Sequence, residues 1–168
     1  MFRTIDEFVS NWHHESNSTQ KLLDNLTDAS LLQQVTDQDR TLGKLAWHIA
    51  TSLHEMMSRT GLRFEAAEHD SIVPTSASEI ANSYRQSSEA LITALKEQWT
   101  DESLKEMTDM YGEQWPNGLT LSILNSHQIH HRGQMTVLMR QAGLKVSGVY
   151  GPSREEWLEY GMETPTVY

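Results

Sequence analysis

The chain has 168 residues, with 23 Asp and Glu against 13 Lys and Arg, 38% hydrophobic residues and no cysteine. This length and composition indicate a single domain over residues 1–168 with one continuous core. The formal net charge of -10 argues against nucleic acid or a membrane surface as a partner, and the lack of cysteine excludes disulfides and a thiol nucleophile of the chain's own.

The start of the chain does not have the pattern of a targeting segment. Asp6 and Glu7 stand where a signal peptide has its apolar stretch, and no run of about 18 apolar residues occurs. A chain without cysteine is also compatible with a reducing compartment. We therefore expect a cytoplasmic protein.

Four segments show the apolar spacing of amphipathic helices. The first is predicted to begin at Thr4, which has the capping-box spacing to Glu7, and to end near Asn25. The second is predicted to begin after Thr41 and to end before Gly61, which is placed as a C-terminal cap.

The third and fourth helices have similar boundary signals. The third is expected to begin at Ser76 or Ser78 and to run toward Trp99. The fourth is expected to extend from about Gly118 to Ala142, where a glycine follows.

Two shorter elements complete the predicted chain. Residues 101–117 should begin as a helical turn and continue as a structured loop or small hairpin, anchored by Tyr111 and Trp115. A short C-terminal helix is predicted over residues 153–160, with Pro152 at its start and a capping-box spacing between Ser153 and Glu156. The predicted fold is therefore all-α, a four-helix bundle with a short C-terminal helix. Its long connections permit crossovers rather than strict up-and-down neighbours.

The candidate chemistry lies on the fourth helix. His127 and His131 fall in the middle of its apolar stripe and are spaced i, i+4, so that both imidazoles can chelate one cation. The alternative is a pair of core histidines that are hydrogen-bonded to neighbouring groups. Burying two unpaired imidazoles costs several kcal/mol, whereas a divalent cation uses both lone pairs, and this favours a metal.

A two-histidine chelate needs a third ligand from another helix. His48 is the best candidate, because it lies at the edge of the apolar stripe of the second helix. The alternative is an edge histidine with one solvated nitrogen. The other histidines are expected to point elsewhere or to lie at the surface: His13, His14, His54, His69 and His130.

Several polar side chains accompany these histidines. Gln134 is expected to face the site or to support a ligand's second nitrogen. Arg132 is predicted to form a structural salt bridge or an interface, and Glu15 to be solvated. Ser16 and Thr19 interrupt the apolar stripe of the first helix, where they border a wet cavity or bond back to the helix backbone.

Three strings occur in order along the chain: Leu45–Ala50 on the second helix, His127–Gln134 on the fourth, and Gly143-Leu144 followed by Val149–Ser153. They resemble the DinB superfamily, the DinB/YfiT-like metalloenzymes. The resemblance spans nearly the whole chain, and His-x-x-x-His-Arg-Gly-Gln is its specific part. It implies a bundle of unusual connectivity that binds one divalent metal ion per chain through His48, His127 and His131.

Three imidazole ligands leave an open coordination position, which is typical of catalytic rather than structural zinc. Zinc or nickel is the expected metal, and iron would accept the same donors. The expected reactive group is a metal-bound water or thiol, because no protein nucleophile or general base stands out from the spacing.

The resemblance also suggests a function. Characterised relatives include transferases and isomerases that use a low-molecular-weight thiol such as bacillithiol, mycothiol or glutathione. A metal-dependent thiol S-transferase acting on a small-molecule substrate is therefore expected. Two alternatives stay open: a zinc-dependent small-molecule hydrolase, and a non-catalytic metal-binding stress-response protein with a fourth protein ligand.

A homodimer is also expected. The superfamily commonly pairs through bundle helices, and five tryptophans are many for a chain of this length. Trp47 is expected to offer an exposed aromatic face to such a contact.

Overall fold

The computed structural model describes residues 1–166 and contains four long helices that form a bundle, as predicted. The helices are α1 (Ile5–Leu23), α2 (Leu42–Ser58), α3 (Ala77–Gln98) and α4 (Asn117–Gln141). The connections contain two 3-10 turns (Asp28–Leu32 and Asp101–Lys105) and two strands, β1 (Met107–Met110) and β2 (Glu113–Pro116).

Side-chain caps fix three of the four helix starts. The hydroxyls of Thr4, Thr41 and Ser76 each accept a hydrogen bond from the backbone N–H three residues later. These contacts select Ser76 rather than Ser78 as the start of α3. Helix α1 ends at Leu23, two residues before the predicted end near Asn25.

The helices are arranged so that chain neighbours are often diagonal partners. Helix α2 packs against α3 and α4, and α1 also packs against α3 and α4. The order around the bundle is therefore α1, α3, α2, α4, and the connections from α1 to α2 and from α3 to α4 cross the bundle. This agrees with the predicted crossover connectivity.

Large apolar side chains from all four helices fill the centre, among them Phe8, Trp12, Leu53, Leu91 and Leu124. Each such side chain contributes on the order of 1.5–3 kcal/mol when it is fully buried.

Trp47 belongs to this core and is only 7% exposed. The prediction of an exposed aromatic face is therefore wrong. The physical reason is that α2 packs between α3 and α4 and buries residues around most of its circumference.

The connection between α3 and α4 forms the predicted small hairpin. Strands β1 and β2 pair antiparallel, with Met110 opposite Glu113. The two turn residues, Tyr111 and Gly112, both have positive φ, at 61° and 88°. This is the geometry of a type I′ turn, in which a tyrosine at the first position is strained.

The C-terminal segment differs from the predicted short helix. Residues 154–161 form successive hydrogen-bonded turns rather than a regular helix. The Glu156 carboxylate does accept the N–H of Ser153, but it also accepts the N–H of Gly148. Leu158 and Tyr160 are 73% and 65% exposed, so no buried apolar face supports a helix of this length.

Nowhere in residues 1–166 is a helix both long and apolar enough to cross a membrane.

Candidate metal centre

Helices α2 and α4 run antiparallel and place the three predicted histidines on one seam. Beside them, Gln128 holds α4 against α2. Its amide donates to the backbone carbonyl of Ile49 at 2.9 Å and to the hydroxyl of Ser52 at 3.0 Å. Gln128 follows His127 and Ile49 follows His48, so this contact also fixes the register of the histidines.

The three imidazoles converge through the same ring nitrogen. Nε2 of His127 lies 3.1 Å from Nε2 of His48 and 3.1 Å from Nε2 of His131. One ring nitrogen from each residue lies within 4.8 Å of the other two. Two imidazole nitrogens bound to one tetrahedral zinc ion lie about 3.3 Å apart, so the observed spacing fits a shared cation.

Gln134 determines the tautomer of His131. Its amide oxygen Oε1 lies 2.7 Å from Nδ1 of His131, and an oxygen at this distance requires a proton on Nδ1. The Nε2 lone pair of the neutral ring is then left facing the other two histidines. The sequence predicts this contact of Gln134 with the second nitrogen of a histidine in the site.

Burial keeps these imidazoles neutral. Desolvation, followed by the charge of Arg40, lowers the pKa of His48 to about 3. Desolvation, followed by the proximity of His131, lowers the pKa of His127 to about 4. The pKa of His131 is also lowered, mainly by desolvation. Neutral imidazole is the form that binds a metal ion.

The remaining histidines lie outside this group. His13, His14, His69 and His130 are exposed, and the half-buried His54 packs its ring 5.8 Å from Phe64. The His69 ring nevertheless comes within 6.0 Å of the His48 ring, measured between centroids, because the connection before α3 passes over α2.

A carboxylate that the sequence analysis did not single out lies near His48, His127 and His131, which we call the triad. Glu55 follows His48 by seven residues, which places both on one face of α2. Its carboxylate accepts the hydroxyl of Tyr111 at 2.8 Å and pairs with Arg59 at 2.8 Å, and its charge raises the pKa of His127 against the dominant desolvation. The seven-residue spacing is the sequence signal that points to it.

Arg132 forms the predicted structural salt bridge. Its partner is Glu15, whose side chain was expected to be solvated. Its guanidinium donates to the Glu15 carboxylate at 2.6 Å, and the two side chains are 3% and 6% exposed. The hydroxyl of Tyr150 donates to the same carboxylate at 2.7 Å. The prediction that Glu15 is solvated is wrong, because α1 packs beside α4 and turns Glu15 toward Arg132.

Ser16 and Thr19, the polar residues that interrupt the apolar stripe of α1, do not border the triad. Thr19 accepts a hydrogen bond from Arg132 at 3.3 Å. Ser16 lines a separate cavity of about 420 Å³ between α1 and α3, together with Trp12 and Tyr84. The cavity that Ser16 borders therefore lies on the opposite side of the bundle from the three histidines.

A four-helix bundle with two diagonal connections and a convergent three-histidine group defines a class of helical proteins with a candidate metal site. The chain belongs to the DinB family, whose family model matches residues 1–164. This confirms the resemblance seen in the sequence.

Two relatives from Bacillus subtilis strain 168 are similar to this chain. YrdA is 53% identical over 167 residues, which cover 99% of this chain and 100% of YrdA. YjoA is 21% identical over 140 residues, which cover 82% of this chain and 90% of YjoA.

Solved structures support the same fold. A DinB-like protein from Bacillus cereus ATCC 10987 is 51% identical and superposes with a TM-score of 0.87, covering 89% of this chain and 100% of that protein. The structure of YjoA is 21% identical and superposes with a TM-score of 0.68, covering 88% of this chain and 99% of that protein; at this identity it shows the fold alone.

Proposed function

We propose that the protein binds one divalent metal ion, zinc or nickel, through Nε2 of His48, His127 and His131, and that it is a metal-dependent thiol S-transferase. The observation that carries the proposal is the convergence of three neutral imidazoles at 3.1 Å contacts. Without a cation, these nitrogens would face one another with too few protons to pair them all.

The chain's residues support an open site. Within residues 1–166, no fourth histidine or carboxylate belongs to the histidine group. A bound divalent cation would supply Lewis acidity and lower the pKa of a water or thiol at its open position. The chain has no cysteine, so the thiol would be a low-molecular-weight cosubstrate such as bacillithiol, mycothiol or glutathione.

Glu55 supports a second candidate, a zinc-dependent small-molecule hydrolase. A general base for hydrolysis must come within hydrogen-bond reach of the attacking water. The Glu55 carboxylate is near enough to influence His127, but its oxygens already hold Tyr111 and Arg59. This engagement favours the transferase over the hydrolase.

Metal content tests the site directly. Purified protein should carry about one divalent ion per chain by elemental analysis, and His48→Ala, His127→Ala and His131→Ala should each lose it, because two ligands remain. His13→Gln and His54→Gln are matched controls that should keep the ion. Full retention in all three alanine variants would refute the site.

The cobalt-substituted protein tests the transferase. Titration with bacillithiol, mycothiol, glutathione and simple thiols should produce a sulfur-to-metal charge-transfer band for at least one of them. If metal is bound but no thiol gives a band, the transferase proposal fails and the hydrolase or the non-catalytic alternative replaces it.

A further inference from the structure

A cavity of about 510 Å³ lies between the connection that precedes α2 and the C-terminal half of α4. It reaches the triad, because His131 is part of its wall. Its wall includes the apolar side chains of Val35, Leu45, Val137 and Leu138 and the charged side chains of Asp39 and Arg40. A volume of this size is typical of small-molecule sites.

Most of the cavity wall is apolar. Leu45 on α2 and Leu138 on α4 are buried, whereas Val35 and Val137 remain 62% and 55% exposed. Exposed valines on facing walls gain free energy when an apolar ligand covers them. The cavity therefore favours a ligand with an apolar body.

The wall carries two charged side chains, Arg40 and Asp39, which do not pair with each other within residues 1–166. In residues 1–166, the Arg40 guanidinium takes part in no hydrogen bond or ion pair. The neighbouring Asp39 carboxylate instead accepts the hydroxyl of Thr36 at 2.7 Å. An arginine without a paired carboxylate is unusual in a chain with a formal net charge of -10.

Arg40 and the histidine group share this cavity. Its wall contains both Arg40 and His131. One small molecule in the cavity can therefore contact both. A guanidinium at the rim of an apolar cavity is suited to a carboxylate, phosphate or sulfonate.

We propose that this cavity binds a small amphipathic anion as the substrate. Its anionic group pairs with Arg40, its apolar body packs against Leu45, Val137 and Leu138, and its reacting group points toward His131. Only the role of the reacting group rests on the proposed metal-dependent function; recognition of the anion depends on the cavity alone.

Binding to the metal-free protein tests this proposal, with hexanoate and its neutral analogue hexanamide as probes. Titration followed by methyl NMR should shift the signals of Leu45, Val137 and Leu138, and hexanoate should bind more tightly than hexanamide. Arg40→Gln should weaken hexanoate about two- to fivefold, as expected for a partly exposed ion pair, and leave hexanamide unchanged. Arg40→Lys should keep part of the preference.

Arg63→Gln is the matched control, because Arg63 is an exposed loop arginine outside the cavity. It should bind both probes as the unmodified protein does. Equal affinity for the two probes, shifts confined to other regions, or the same loss in Arg63→Gln would overturn the proposal. A failure of metal loading would refute the proposed function but would not change these results, since they are obtained without metal.

Discussion

The inward-facing nitrogen of His131 depends on one side chain, Gln134. Since Nδ1 of His131 donates to the amide oxygen of Gln134, its Nε2 lone pair is available to a cation at neutral pH. His127 has no such support, because its buried Nδ1 has no hydrogen-bond partner in residues 1–166. The His127 ring lies between His48 and His131 and is therefore held by packing and by these two histidines.

The titration of these rings predicts acid sensitivity of the metal-free protein. The folded-state pKa values of about 3 for His48 and about 4 for His127 lie below 6.5, the ordinary pKa of a histidine in an unfolded chain. The unfolded chain therefore binds more protons than the folded chain below about pH 6.5. Stability that is present above pH 6.5 should be lost progressively as the pH falls toward 4.

Urea unfolding of the metal-free protein between pH 7 and pH 4.5 measures this effect. The midpoint should fall more steeply for the unmodified protein than for a variant that combines His48→Gln and His127→Gln, which lacks both titrating groups. Acidic residues elsewhere titrate equally in the two proteins, so the difference in slope isolates the histidines. Parallel slopes would contradict the prediction.

At the level of elements, the helices and the histidine pair follow from local pattern, whereas contacts between helices do not. The spacing of His127 and His131 lies within one helix, so a helical wheel suffices to place them together. The Arg132–Glu15 pair joins residues 117 positions apart, and no single-helix pattern contains it.

In the C-terminal segment the local pattern is present, but the helix that it predicts does not form. Its capping signal at Ser153 and Glu156 is real, and the Glu156 carboxylate does bond to the Ser153 N–H. The helix still does not form, because a local cap cannot compensate for the absence of a packed face.

The Arg132–Glu15 pair predicts strong coupling between α4 and α1. Arg132→Met should destabilise the fold by about 3–5 kcal/mol, because it leaves the Glu15 carboxylate buried without its cation. Adding Glu15→Met should restore much of that loss, since both charges are then removed. Chemical unfolding of the single and double variants measures the coupling.

The surface pair Lys105–Glu102 is a suitable control for this cycle. Its side chains are 71% and 79% exposed. Lys105→Met should therefore cost less than about 1 kcal/mol. Additive effects of Arg132→Met and Glu15→Met would contradict the coupling.

For the whole molecule, burial of Trp47 changes where a second copy could bind. Within residues 1–166, the outer face of α4 is left uncovered at Ile123, which is 37% exposed, and at the exposed His130. These two residues are spaced by seven, which places them along one line of the helix. Gly133 lies on the same exposed face and would allow close approach.

We therefore expect the predicted homodimer to form through the outer faces of two α4 helices, as an isologous contact. Sedimentation should give a species of twice 19.2 kDa that dissociates on dilution. Ile123→Glu and His130→Glu should each weaken association, because a twofold contact brings the introduced charge on one protomer toward that on its partner. Ile72→Glu, at a loop position that is 92% exposed, should leave association unchanged. A single 19.2 kDa species at all concentrations would exclude the dimer.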